Sequence, residues 1–202
     1  MAGTITTSTS KGIAIGIIGP EQLVRKMDHC LKGFPSFAPI TCIYKSEDEV
    51  PTLARELMDR VEALLFTGPV PYRVAVDKIS FHIPVHYVRL SGTGLYRALF
   101  RIMRRYGLAE MSVDTLSKQS VEDAFGELGE PYSPTFHYTG LESMSKEPLI
   151  EFHAESYRSG RTKVALTSVG AVAAALTEMG IPNEWVMPTD EDIIVSLERS
   201  LL

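Results

Sequence analysis

The chain has 202 residues, enough for one large domain or two small lobes of roughly 90 residues, each able to bury a core. Apolar residues make up 45% and charged residues 22%, an ordinary globular balance that argues against wholesale disorder. The net charge of −5 gives no general pull toward nucleic acid or anionic lipid, so neither DNA nor a membrane is expected as a direct partner.

Residues 1–11 are rich in Thr and Ser, lack the apolar stretch of a signal peptide and read as a disordered tail. From Gly12 onward short apolar runs alternate with amphipathic ones, the pattern of parallel strands joined by crossover helices. Ile13–Ile18 is apolar on both faces, as a central parallel strand is, and stops at Gly19-Pro20. The following helix places Leu23, Val24, Met27, Cys30 and Leu31 on one face and ends at Gly33. Strand Ile40–Tyr44, helix Val50–Val61, strand Ala63–Phe66, helix Val70–Lys78, strand Val85–Leu90 and helix Gly94–Tyr106 complete a first round. Gly107 closes that helix, and the same order of elements recurs from Met111 to Leu201. The division that follows is a first α/β lobe over 12–107 and a second over 108–202, with the terminal helix a candidate to cross back to the first lobe. No stretch approaches the roughly 20 apolar residues of a membrane span.

The two rounds match in detail between Ala63–Met103 and Val164–Leu201. Ile83-Pro84 pairs with Ile181-Pro182, Val88 with Val186, Ser91 with Thr189, Leu95 with Ile193 and Leu99 with Leu197, at a constant offset of 98. Proline tolerates a strand start and forbids continued helix, so each Ile-Pro step resets the chain after a crossover. By residue type, Phe66-Thr67-Gly68 aligns with Leu166-Thr167-Ser168 across a two-residue gap.

Open parallel sheets bind ligands beyond the carboxyl ends of their strands, where helix N-termini offer free N–H groups. Those ends carry hydroxyls and glycines and few carboxylates or histidines, which suits hydrogen-bonded capture of a small polar or anionic molecule. The expected contacts are Gly19, Ser46, Thr67, Gly68, Pro69, Ser91, Thr93, Thr115, Thr167 and Ser168, with Tyr44, Tyr72 and Tyr138 as stacking or hydroxyl partners. Helix capping alone is the competing explanation for each Ser and Thr.

Catalytic and metal chemistry find little support. The two cysteines, Cys30 and Cys42, form no CxxC pair, so zinc and dithiol redox sites are not expected and a reducing, cytoplasmic compartment fits. His82 and His86, four apart on extended backbone, stand about 13 Å apart and cannot share a metal. His29, His137 and His153 are isolated and read as surface or core residues. Gly92-Thr93-Gly94 lacks the third glycine of a dinucleotide fingerprint, and no G-x-S-x-G elbow or P-loop lysine occurs. Arg97, Arg101, Arg104 and Arg105 read as a solvated helix face rather than a phosphate stripe. No catalytic residue, metal or cofactor is therefore expected.

Phe66-Thr67-Gly68-Pro69, Thr167-Ser168-Val169-Gly170-Ala171-Val172, the Gly180-Ile181-Pro182 step and the closing helix Glu191–Leu201 together carry a family resemblance. The chain resembles the N-terminal sensory domain of propionate-catabolism-type transcriptional activators. That resemblance covers most of the chain in layout and about 40 residues in detail. It implies two Rossmann-like lobes of periplasmic-binding-protein type that close on an effector and pass the change to an output domain. Thr67-Gly68-Pro69 and Thr167-Ser168 stand where glycine-rich turns are common in that family, which leaves the effector open.

The expectation is thus an α/β protein of two parallel-sheet lobes with a ligand cleft between them, sensing a small-molecule effector in a cytoplasmic transcriptional regulator. The alternatives are a small transferase or isomerase on the same scaffold and an oligomerisation module. The last helix runs into Leu201-Leu202 without a stop signal, which fits continuation into an output domain, or pairing with a partner chain or a second copy.

Overall fold

The computed structural model describes residues 12–90, 92–140 and 145–201. Two four-stranded parallel sheets form, with orders β2-β1-β3-β4 and β6-β5-β7-β8. The first comprises β1 (Ile13–Gly19), β2 (Phe37–Ile43), β3 (Ala63–Phe66) and β4 (Val85–Tyr87). The second comprises β5 (Met111–Val113), β6 (Thr135–His137), β7 (Val164–Thr167) and β8 (Asn183–Trp185). Each is the doubly wound, Rossmann-like arrangement that the strand-helix alternation predicts.

The strands sort their side chains by parity. Ile15 and Ile17 of β1 face α1 (Glu21–Leu31), while Gly16 and Ile18 face α2 (Val50–Met58) and α3 (Pro69–Val76). In β5, Met111 and Val113 face α5 (Lys118–Leu128), whereas Ser112 faces α6 (Lys146–Arg158) and its neighbour His153. The remaining crossover of the second sheet is α7 (Gly170–Glu178).

Two helices trade sheets. α4 (Thr93–Tyr106) follows the first sheet in sequence, yet Leu95, Ala98, Leu99 and Ile102 pack with Met111, Val113, Val121 and Phe125 of the second half. α8 (Asp190–Ser200) follows the second sheet, yet Ile193 and Leu197 pack with Ile15, Ile17, Val24 and Met27 of the first. Each sheet is finished on one face by the other half's last helix.

The chain crosses between lobes twice, and the crossings touch. Thr93 Oγ1 lies 2.6 Å from Thr189 Oγ1, and Arg97 donates to the Met187 carbonyl at 2.9 Å. Gly92 sits at φ 137°, where a Cβ is strongly disfavoured. A Cβ on Gly94 would fall onto the Met187 carbonyl oxygen, so the close approach itself requires glycine there.

The duplication is real in its pairing, with one shift from the residue-type alignment. Leu64 pairs with Val85 and Ala165 with Asn183, so the connection is three residues longer in the first half. Val88 N–H reaches the Phe66 carbonyl and Val186 N–H the Thr167 carbonyl. Thr67 therefore corresponds to Ser168, not to Thr167.

Candidate functional site

The carboxyl ends of β1, β3, β5 and β7 face one another across the space between the lobes. Two adjoining chambers lie there, and Pro69 and Val70 of α3 line both. The central chamber is narrow, about 50 Å³, and is lined by Tyr44, Thr67 and Gly68 from the first half and Ser168, Gly170 and Trp185 from the second. The lateral chamber is about 330 Å³, within the range of small-ligand sites. Arg73 of α3 forms its first-half wall, and Thr115, Lys118, His137 and Tyr138 its second-half wall.

Apolar side chains, among them Pro69, Val70, Leu116 and Leu149, make up most of the lateral chamber's lining, and Arg73, Lys118, His137 and the edge of Asp114 supply its charged and titratable groups. Arg73 and Lys118 are exposed, and neither is held by an ion pair to the other lobe among the described residues. Ser117 caps α5, accepting from the Ser120 N–H at 3.1 Å, so this helix N-terminus opens beside Lys118. Desolvation holds the His137 imidazole below its ordinary value, against a smaller upward effect of its hydrogen bond with the Leu116 backbone. Val70 closes the apolar side, packing with Leu149, Val169 and Val172 across the lobe boundary.

Behind the second-half wall lies a buried polar cluster centred on Asp114, which is 4% exposed. Its Oδ1 accepts from the Thr115 N–H at 2.7 Å, the Thr115 hydroxyl at 2.9 Å and the Ser168 N–H at 3.4 Å. Its Oδ2 accepts from Thr167 Oγ1 and lies 3.1 Å from His153 Nε2. His153 Nδ1 in turn lies 2.7 Å from Ser112 Oγ. A Ser-His-carboxylate series invites comparison with a nucleophilic triad. Ser112, however, is 1% exposed beneath the sheet, where no substrate reaches it, so the series organises the wall and is not a nucleophile.

The first half answers this cluster with hydrocarbon. A Cβ on Gly16, which faces α2 as Ser112 faces α6, would meet Leu57 and Leu64. Ile18, Leu57 and Phe66 join one apolar cluster. Thr67, 1% exposed and packed over Gly19, keeps a hydroxyl without a hydrogen-bond partner among the described residues. The cleft is pseudo-symmetric in backbone and asymmetric in chemistry.

The contacts expected from sequence fall into several groups. Thr67, Gly68, Pro69 and Ser168 line the central chamber, and Thr115 and Tyr138 the lateral one. Gly19 lies beneath Thr67, and Thr167 is wholly buried against Asp114. Ser46 N–H and Lys45 N–H both donate to Glu49 Oε1, at 3.0 and 3.1 Å, which ties Ser46 to the 3-10 turn Glu47–Glu49. Tyr72 stacks on Tyr87 at 4.6 Å and lines a cavity with Arg89 and Arg199, away from both chambers. Thr93 belongs to the crossing, while Ser91 and residues 1–11 lie outside the described residues. Asp114, Arg73, Lys118, His137 and Trp185 were not among the expected contacts.

No protein-family model matches the sequence, and no curated protein matches it. Solved structures do match. The fold is similar to that of an NtrC family transcriptional regulator from Clostridium acetobutylicum, at 18% identity over 95% of this chain and 96% of that one, with a TM-score of 0.70. It is also similar to an ABC domain in complex with L-Trp from Streptococcus pneumonia, at 10% identity over 94% and 83% of the two chains, with a TM-score of 0.55. These likenesses establish the two-lobed α/β fold. Among the described residues no helix is long and apolar enough to cross a membrane.

Proposed function

We propose that the chain is the ligand-sensing domain of a cytoplasmic transcriptional regulator, of the kind found at the N-terminus of propionate-catabolism-type activators, and that its effector is a small polar or anionic molecule. The observation that carries this reading is the lateral chamber, whose wall is shared between Arg73 of one lobe and Lys118 and His137 of the other. An anion held by groups from both lobes favours the closed arrangement, because only there does it meet all three. The similarity in fold to a transcriptional regulator agrees with this role.

The mechanism is hinge closure about the two crossings at Gly92-Thr93 and Met187–Thr189. Ligand binding stabilises the lobe arrangement, and an output domain or partner chain reads it through α4 or α8, the helices that begin at those crossings. Thr67, Gly68, Pro69, Thr115, Tyr138 and Ser168 are the contacts proposed from the earlier set.

Trp185 is the sole tryptophan and lines the central chamber, with Nε1 donating to the Ser168 carbonyl at 3.2 Å. Its emission therefore reports on the cleft directly. Titration with di- and tricarboxylates, sugar phosphates and nucleotides should give one saturable change in Trp185 emission, matched by a rise in Tm. Arg73→Ala should weaken it at least tenfold. Saturable binding unaffected by Arg73→Ala and Lys118→Ala would place the ligand elsewhere and sink this reading.

A further inference from the structure

The Asp114 cluster fixes which atoms of the cleft wall donate hydrogen bonds and which accept them. An ionised carboxylate is acceptor-only, with about four lone-pair positions. Five donors surround Asp114: Thr115 N–H, Thr115 Oγ1, Ser168 N–H, Thr167 Oγ1 and His153 Nε2. Its acceptor capacity is filled, so it offers the ligand nothing directly. Its effect is on its neighbours.

Thr115 has one hydroxyl proton, and that proton goes to Asp114 Oδ1. Thr115 Oγ1 also contacts Ser168 Oγ, so the proton in that bond must come from Ser168. Both hydroxyls are then committed as donors, and what they turn to the cleft is lone pairs. The two residues are half-buried and straddle the chambers, Thr115 lining the lateral one and Ser168 the central one. The same logic sets His153: Nε2 carries the proton toward Asp114, and Nδ1 accepts from Ser112 Oγ.

We infer that this corner selects a ligand bearing a hydroxyl or ammonium donor, which enters the narrow central chamber while the body of the ligand lies in the lateral one. The volume fits: about 50 Å³ admits a hydroxyl or ammonium group, since a single water needs about 10–15 Å³ on the same measure. Asp114 is thus a positioning residue for specificity. The inference rests on the cleft being a ligand site, as proposed above.

Two measurements test it. Succinate, malate and aspartate differ only in carrying hydrogen, hydroxyl or ammonium at one carbon, and each is titrated against Trp185 emission. Malate or aspartate should bind roughly tenfold tighter than succinate, the scale of one buried hydrogen bond. Thr115→Val and, separately, Ser168→Ala should narrow the preference for malate or aspartate over succinate to less than about twofold, and a tenfold preference kept by both variants overturns the inference. Equal binding of all three by the wild-type chain overturns the selectivity and leaves the cleft reading standing. No response to any of them, nor to the tricarboxylates, sugar phosphates and nucleotides above, at millimolar concentration overturns both. Independently of ligand, nitrogen-15 NMR of the imidazoles should show a proton on His153 Nε2, the atom that faces Asp114. An Nε2 without a proton makes Asp114 the donor in that bond and overturns the inference.

Discussion

Leu197 lies in the second half of the sequence, but its loss should be felt in the first sheet. The side chain is 0% exposed and packs with Ile15, Ile17, Val24 and Met27. Truncation to alanine removes three buried carbons and leaves a cavity between α8, α1 and β1, which costs about 2–5 kcal/mol. In a chain of this length that lowers Tm by about 4–20 °C. Hydrogen exchange read strand by strand locates the loss. Protection of β1 and β3 should fall by a factor between about 30 and a few thousand, from the same free energy, with β5 and β7 less affected. Leu99→Ala, at the matching position of α4, should give the reverse pattern. If Leu197→Ala strips protection chiefly from β5 and β7, or equally from both sheets, the assignment of α8 to the first core is wrong.

Gly94→Ala directs a methyl at the Met187 carbonyl, a backbone atom that cannot rotate away, and should destabilise by about 1–3 kcal/mol despite alanine's better helix propensity. Denaturant titration checks this, and an unchanged or raised midpoint refutes it. Asp114→Asn replaces one acceptor oxygen with a donor group facing the Thr167 hydroxyl and His153 or the Thr115 and Ser168 N–H groups, so stability should drop by about 3–5 kcal/mol. Urea unfolding reads it, and a loss under about 1 kcal/mol would show that the cluster is not tightly coupled. Desolvation, only partly offset by its backbone hydrogen bond and Lys146, raises the Glu47 carboxyl above its ordinary value. The folded state then holds that proton more tightly than the unfolded chain, so stability falls as pH rises from the ordinary value through the raised one. Glu47→Gln should raise Tm at pH 7, and the gain should vanish near pH 4. A gain that persists there points to another cause.

Strand-helix alternation predicted the fold because β1, β3 and β7 are apolar on both faces, a pattern that water-exposed strands do not show. It left the crossing of the terminal helix as a candidate only and gave no sign of the reciprocal exchange of α4. Leu95, Leu99, Ile193 and Leu197 form equivalent stripes, and an apolar stripe records that a face is buried without recording by which sheet. The lining of the two chambers was legible where it follows the rule of carboxyl ends, at Thr67, Gly68, Thr115 and Ser168. Asp114 escapes that rule because it sits one residue before the strand-end hydroxyl of Thr115. The signal was present nonetheless: Ser112 and Asp114 put two polar groups on one face of a buried strand, and His153 sits among Leu149 and Ala154 on the apolar side of α6. Buried polar groups of that kind must find one another. Arg73 had no sequence signal, since its place at the cleft depends on how α3 docks against the other lobe.

The exchange of α4 and α8 also bears on how the protein is made. When the ribosome has finished β4, the first sheet is complete in its strands, yet the face that will receive Ile193 and Leu197 has no cover. About a hundred further residues must emerge, on the order of 5–20 s at ordinary synthesis rates, before α8 arrives. For that interval Ile15, Ile17 and Val88 are partly open to solvent and to other chains. The nascent first lobe is therefore a natural client for a chaperone, and truncation before α8 should turn a well-behaved protein into an aggregating one.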